Sequence, residues 1–161
     1  MYGNAFARAD ADTVRRATTR IEPPTITNLI AMAASPGGYG RYSVSEIETV
    51  LATAFTGFRA VLESMRQRDV TCPFRVHTGF WGCGAFGGHR VLMATLQILA
   101  AEMAGLERLV FHTFDAPGTK APDAARVLIE GTLASGSVID TGELIRRVAA
   151  MGFEWGVSDG N

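Results

Sequence analysis

Residues 77–115 read HTGFWGCGAFGGHRVLMATLQILAAEMAGLERLVFHTFD, and their interpretation decides the fold. Four glycines fall within 81–90, with Gly79 just upstream. Glycine costs about 0.5–1 kcal/mol relative to alanine inside regular structure, so a cluster marks a sharp turn or a close approach to backbone. Before it, PFRVHT (73–78) reads as a strand. After it, RVLMATLQILAAEMAG (90–105) is apolar on most sides, as in a buried helix, and RLVFHTF (108–114) reads as a second strand. Strand, turn, helix and strand make a right-handed βαβ unit. The turn then lies at a strand's carboxyl end and a helix's amino end, where backbone N–H groups and the helix dipole favour an anion. A phosphate or pyrophosphate held by backbone is one reading, and a tight turn without a ligand is the other.

Upstream, ITNLIAMAA (26–34) is a short apolar run ended by SPGGYG, which predicts a further buried strand. A 3.6-residue stripe from Val44 to Met65 predicts a long amphipathic helix, with Ser43 and Glu46 as its capping box. Residues 1–24 are polar, end in Pro23-Pro24 and read as a loop or arm of a single domain spanning 1–161. Downstream, Pro122 is placed as the first residue of a helix running to about Ala134. Asp140 with Glu143 caps a last helix, closed by Gly152.

Of the 161 residues 47% are apolar, and 15 basic side chains nearly balance 16 acidic ones. That balance argues against direct nucleic-acid or membrane binding, which need a basic excess. No apolar run reaches the roughly 18 residues of a membrane span, and MYGNAFARADADTVRR lacks the apolar core of a signal peptide. Cys72 and Cys83 form no C-x-x-C pair, so a reducing, cytoplasmic setting is the default expectation. His77 and His112 sit on neighbouring strands, but two imidazoles without a third ligand make no metal site. No metal and no cofactor is expected.

The segment GCGAFG matches the dinucleotide pattern G-x-G-x-x-G, which would ask for an acid about 20 residues on to hold a ribose. Asp115 stands 27 residues after Gly88, and a strand and long helix precede the turn. The Rossmann reading is therefore third. The whole string 77–115 resembles the signature of the poly(ADP-ribose) glycohydrolase family, T-G-N-W-G-C-G-A-F-G-G followed by a Leu/Ile/Ala-rich helix and a strand V-Y-F-T-F-G. LIAMAAS (29–35), AFTGF (54–58) and, more faintly, MYGNAF at the start extend the similarity.

The resemblance implies an α/β, macrodomain-like three-layer α/β/α fold, of which this chain looks like the carboxyl-terminal half. It implies recognition of ADP-ribose or poly(ADP-ribose). The loop Gly84, Ala85, Phe86 and Gly87 would wrap the diphosphate, with Gly82 and Gly88 flanking it and Phe86 against ribose. Tyr2 would touch adenine. Two positions depart from the family pattern: Phe80 replaces its Asn, and His89 replaces its Asp, bringing partial positive charge to a helix start.

The family's catalytic Gly-Gly-Gly…Gln-Glu-Glu loop has no counterpart here. Glu46 and Glu48 follow Gly37-Gly38, but two residues apart they do not share a helix face, and Glu46 is committed to capping. No catalytic residue is assigned within the chain. Hydrolysis of ribose–ribose bonds would then need glutamates from outside it, and a non-catalytic or vestigial ADP-ribose-binding module is the alternative. A half-domain also leaves a raw sheet edge, so a partner chain or self-association is expected to complete the sheet.

Overall fold

A computed structural model describes residues 8–25, 28–69, 73–133 and 140–158. The described elements are α1 (Ala11–Ala17), α2 (Val44–Gln67), β1 (Val76–Thr78), α3 (Arg90–Ala104), β2 (Leu109–Phe111), α4 (Ala116–Leu128), a π-helical turn (Ile129–Leu133) and α5 (Thr141–Ala150). The two strands pair in parallel, with His77 opposite Val110, and α3 is the crossover between them. This is an α/β arrangement of helices with a small parallel sheet.

The core is built where α2 lies along α3. The stripe on α2 buries Ile47, Val50, Leu51, Ala54 and Phe58. α3 buries most of its circumference, from Leu92 to Ala104, and α5 closes one end with Leu144, Ile145 and Val148. Phe58 is 1% exposed, so cutting it to alanine would cost about 3–5 kcal/mol. The ends follow local rules. Ser43 and Glu46 form the expected capping box, Asp140 accepts from Glu143 N at 2.9 Å, and Gly105 ends α3 with left-handed backbone. Leu106 N then returns to Ala101 O at 2.9 Å, satisfying a terminal carbonyl.

Several expectations are corrected. Among the described residues of 26–34, which begin at Asn28, there is no strand. A strand is defined by its ladder, and no neighbour pairs with this segment. β1 and β2 are shorter than 73–78 and 108–114 for the same reason. The arm contains α1, because Asp10 caps it by accepting from Thr13 N at 2.7 Å. Pro122 lies inside α4 rather than at its start. Asp115 is the cap and Pro117 occupies the first turn, so the helix begins six residues earlier than Pro122. α4 passes into the π-helical turn, and Ala134 lies outside the described residues, as do Tyr2 and Cys72. Among the described residues no helix is long and apolar enough to cross a membrane.

Candidate anion-binding turn

β1 delivers the chain into the turn at 79–88, and a buried polar residue fixes that entry. Gln97 is fully buried on α3; its Oε1 accepts from Thr78 Oγ1 at 2.6 Å and its Nε2 donates to Gly79 O at 3.0 Å. Both ends of the amide are thereby satisfied, which makes its burial tolerable. Sequence reading missed Gln97. The available signal was a single amide in an otherwise apolar helix.

Within the turn, Cys83 N donates to Phe80 O, Gly87 N to Gly84 O and Gly88 N to Gly82 O. A Cβ on Gly88 would stand 2.7 Å from Gly82 O, so the fold itself requires that glycine. Gly87 has φ +64°, and a Cβ there would meet Gly156 O at 2.8 Å. The turn is braced from two sides. Gly156 N donates to Gly87 O at 2.7 Å, and Gly37 packs against the carbonyl of Phe86. Trp155 anchors the bracing tail by stacking on Tyr42 at 4.1 Å and donating to Glu46 Oε1 at 3.2 Å.

Three consecutive N–H groups, those of Gly84, Ala85 and Phe86, have no hydrogen-bond partner among the described residues. The Phe86 ring is 43% exposed and takes no part in the buried core. In the expected loop 84–87, residues 84–86 thus offer open, firmly held backbone donors beside a half-exposed aromatic face, while Gly87 N closes the turn on Gly84 O. Gly82 and Gly88 shape it from within.

His89 differs from expectation. Its Nδ1 accepts from Leu92 N at 3.4 Å and so carries no proton there, and burial lowers the ring's pKa. It is a neutral helix cap packed against Phe153, and its own N–H donates to Tyr42 Oη at 3.0 Å. The unpaired backbone donors among the described residues therefore lie in the loop before His89. Phe80 packs against Phe111, with Arg90 5.5 Å above its ring. Arg90 also pairs with Asp115 at 2.7 Å, and this hydrogen-bonded guanidinium holds the Asp115 carboxyl below its usual range. Asp115 further accepts from Gly118 N at 2.6 Å, so the acid required by the dinucleotide reading already serves as a helix cap.

Glu46 is equally committed. It accepts from Ser43 Oγ and N, both at 2.7 Å, and these bonds lower its pKa, the wrong direction for a general acid. Cys83 is half-buried, and burial pushes its thiol up to about 12, which removes it as a nucleophile. His77 Nδ1 and His112 Nε2 do meet, at 2.8 Å, as a hydrogen-bonded cross-strand pair. Among the described residues no group of three or more metal-ligating side chains exists. Phe114, following β2, is 94% exposed and was not singled out from sequence.

A family model described as poly (ADP-ribose) glycohydrolase (PARG), Macro domain fold, matches residues 2–121. The match contains the whole glycine turn, both strands and the segment 28–34, and it ends inside α4.

Proposed function

The chain belongs to the poly(ADP-ribose) glycohydrolase family, and from that membership we propose that its glycine turn holds the diphosphate of ADP-ribose. The observation that carries the reading is the run of three N–H groups, at Gly84, Ala85 and Phe86, that have no partner among the described residues. Backbone donors fixed in advance bind a diphosphate without reorganising, as in other anion-binding turns. Phe86 offers an apolar face to the adjoining ribose.

Hydrolysis is a separate matter. Cleaving a ribose–ribose bond calls for a carboxylic acid that protonates the leaving oxygen, and general acid catalysis contributes roughly 10²–10⁴-fold. Glu46 is engaged as a cap, and Glu48 lies exposed on α2. We therefore assign recognition to this chain and the acid to a segment outside it. A binding module without activity is the second reading, favoured by that same engagement of Glu46.

Calorimetry with ADP-ribose and with NAD tests the first part. Saturable binding of ADP-ribose in preference to NAD is expected, and a clear preference for NAD would favour the dinucleotide reading. The purified chain is expected to release no ADP-ribose from the polymer. Turnover that disappears in Glu46→Gln or Glu48→Gln would overturn the assignment of the acid.

A further inference from the structure

The peptide joining Gly87 to Gly88 is the joint between the N–H groups of residues 84–86 and the start of α3. Both of its polar groups are bonded. Gly88 N donates to Gly82 O at 2.9 Å, inside the turn, and Gly87 O accepts from Gly156 N at 2.7 Å, outside it. A glycine on each side leaves this peptide freer to rotate than any other pair of residues would. With the outer bond gone it would be held from one side only, and residues 84–86 would move with it.

The outer bond comes from a tail, residues 153–158, that lies wholly beyond the span 2–121 matched by the family model. The tail is seated on residues 40–42. Tyr42 N donates to Phe153 O at 3.0 Å and Trp155 N to Gly40 O at 2.8 Å, on either side of an antiparallel bridge between Arg41 and Glu154. The Arg41–Glu154 ion pair, at 3.6 Å, is exposed on both sides and adds little. The Trp155 indole locks the pairing. It stacks on the buried Tyr42 ring with centroids 4.1 Å apart, and its Nε1 donates to Glu46 Oε1 at 3.2 Å. A Cβ on Gly38 would overlap the indole, so glycine there makes its seat. Tyr42 in turn accepts from His89 N at 3.0 Å through its Oη. One indole thus secures both neighbours of Gly88: Gly87 through the adjoining Gly156, and His89 through Tyr42.

We propose that Trp155 is a positioning residue for the glycine turn, and that closure of the tail 153–158 and occupation of the turn by ligand favour one another. The coupling rests on the reading of residues 84–86 as the diphosphate donors. Trp155 is assigned no contact with the ligand; it acts through Gly87 and His89. Donors held in place before the ligand arrives lose no backbone freedom on binding. Freeing one residue's backbone weakens binding about 5- to 30-fold, because the ligand must then fix it. Linkage makes the effect reciprocal: whatever factor the closed tail adds to ligand affinity, bound ligand adds to tail closure. A tryptophan that served stability alone would lower the melting temperature and do neither.

The test is backbone amide relaxation by NMR on the full chain without ligand, followed by ADP-ribose titration of the same samples. In wild type the amides of 84–88 should be as ordered as those of α3, with order parameters of about 0.85. In Trp155→Ala they should fall below about 0.6 while α3 keeps its value. ADP-ribose affinity of that variant should drop about fivefold or more. Trp155→Phe keeps a ring on Tyr42 and should bind within about twofold of wild type. In wild type, saturating ADP-ribose should slow hydrogen exchange at the Gly156 amide by the factor of affinity that the alanine variant loses. Gly156→Pro removes the N–H that holds Gly87 O, leaves the indole in place, and should reproduce the alanine variant. It decides alone if Trp155→Ala does not fold. Unchanged order at 84–88 in these variants would overturn the proposal, and so would ADP-ribose affinity equal to that of wild type. A wild-type chain that binds no ADP-ribose overturns the ligand reading and with it the coupling, whereas the loss of order still decides the positioning role.

Discussion

Two strand-to-helix turns leave neighbouring parallel strands of this protein, and they treat negative charge in opposite ways. The turn after β2 spans only residues 112–115 and ends on Asp115, whose carboxylate accepts from Gly118 N and pairs with Arg90. That helix start already contains its anion. The turn after β1 spans 79–88, holds no acid, is capped by a neutral histidine, and keeps three N–H groups in a row without partners among the described residues. The proposal that the turn after β1 receives an anion rests on the acceptor it lacks as much as on its glycines.

The harshest way to break the contrast is Gly87→Val. Its left-handed φ and the 2.8 Å approach to Gly156 O make any Cβ there strained, at a cost of about 1–3 kcal/mol from backbone conformation alone. The variant is expected to lose ADP-ribose binding in calorimetry and to melt lower, while retaining helical circular dichroism. Unchanged affinity would remove the turn from the site. Phe86→Ala is gentler. Aromatic packing contributes about 0.5–1.5 kcal/mol, so affinity should fall roughly two- to tenfold. With the ring 43% exposed, the melting temperature should hold.

Asp115→Asn perturbs the other turn. It weakens the pairing with Arg90, so the variant should melt lower while its ADP-ribose affinity stays within about twofold. The sign with pH follows from the cause. The folded carboxyl titrates below its unfolded value, so its stabilisation is present above the unfolded pKa and fades as pH falls through the folded one. The difference between wild type and variant should close in acid, and it should shrink in high salt because the pair is exposed.

The smallest effect belongs to His89. Burial lowers its pKa, so below its unfolded value of 6.5 the unfolded chain binds protons that the folded chain refuses. Stability should fall between pH 7.5 and 5.5. His89→Asn, a neutral cap, should melt close to wild type at pH 7.5 and lose less on acidification.

What was legible in the sequence divides along the same physical line. Helix ends are local: Ser43 with Glu46, Asp140 with Glu143, and Gly105 each close a hydrogen bond within a few residues, and each stands where the sequence placed it. Strands are not local. The run 26–34 has the composition of a strand, but composition cannot supply a neighbour, and without one the described residues form no ladder. α4 began earlier than expected because Asp115 and Pro117 outweigh Pro122 as start signals. The turn at 84–87 was legible because glycine spacing is written in the chain. Gln97, Tyr42 and Trp155, which hold that turn in place, act across 18, 47 and 109 positions, separations that no local pattern encodes.

The central claim, that the turn after β1 and not the turn after β2 receives the diphosphate, is tested most directly by amide NMR during an ADP-ribose titration. The largest saturable shifts are expected at Gly84, Ala85 and Phe86, with Gly118 and Thr119 nearly still. The largest shifts at 115–119, or none at 84–86 at saturating ligand, would contradict it.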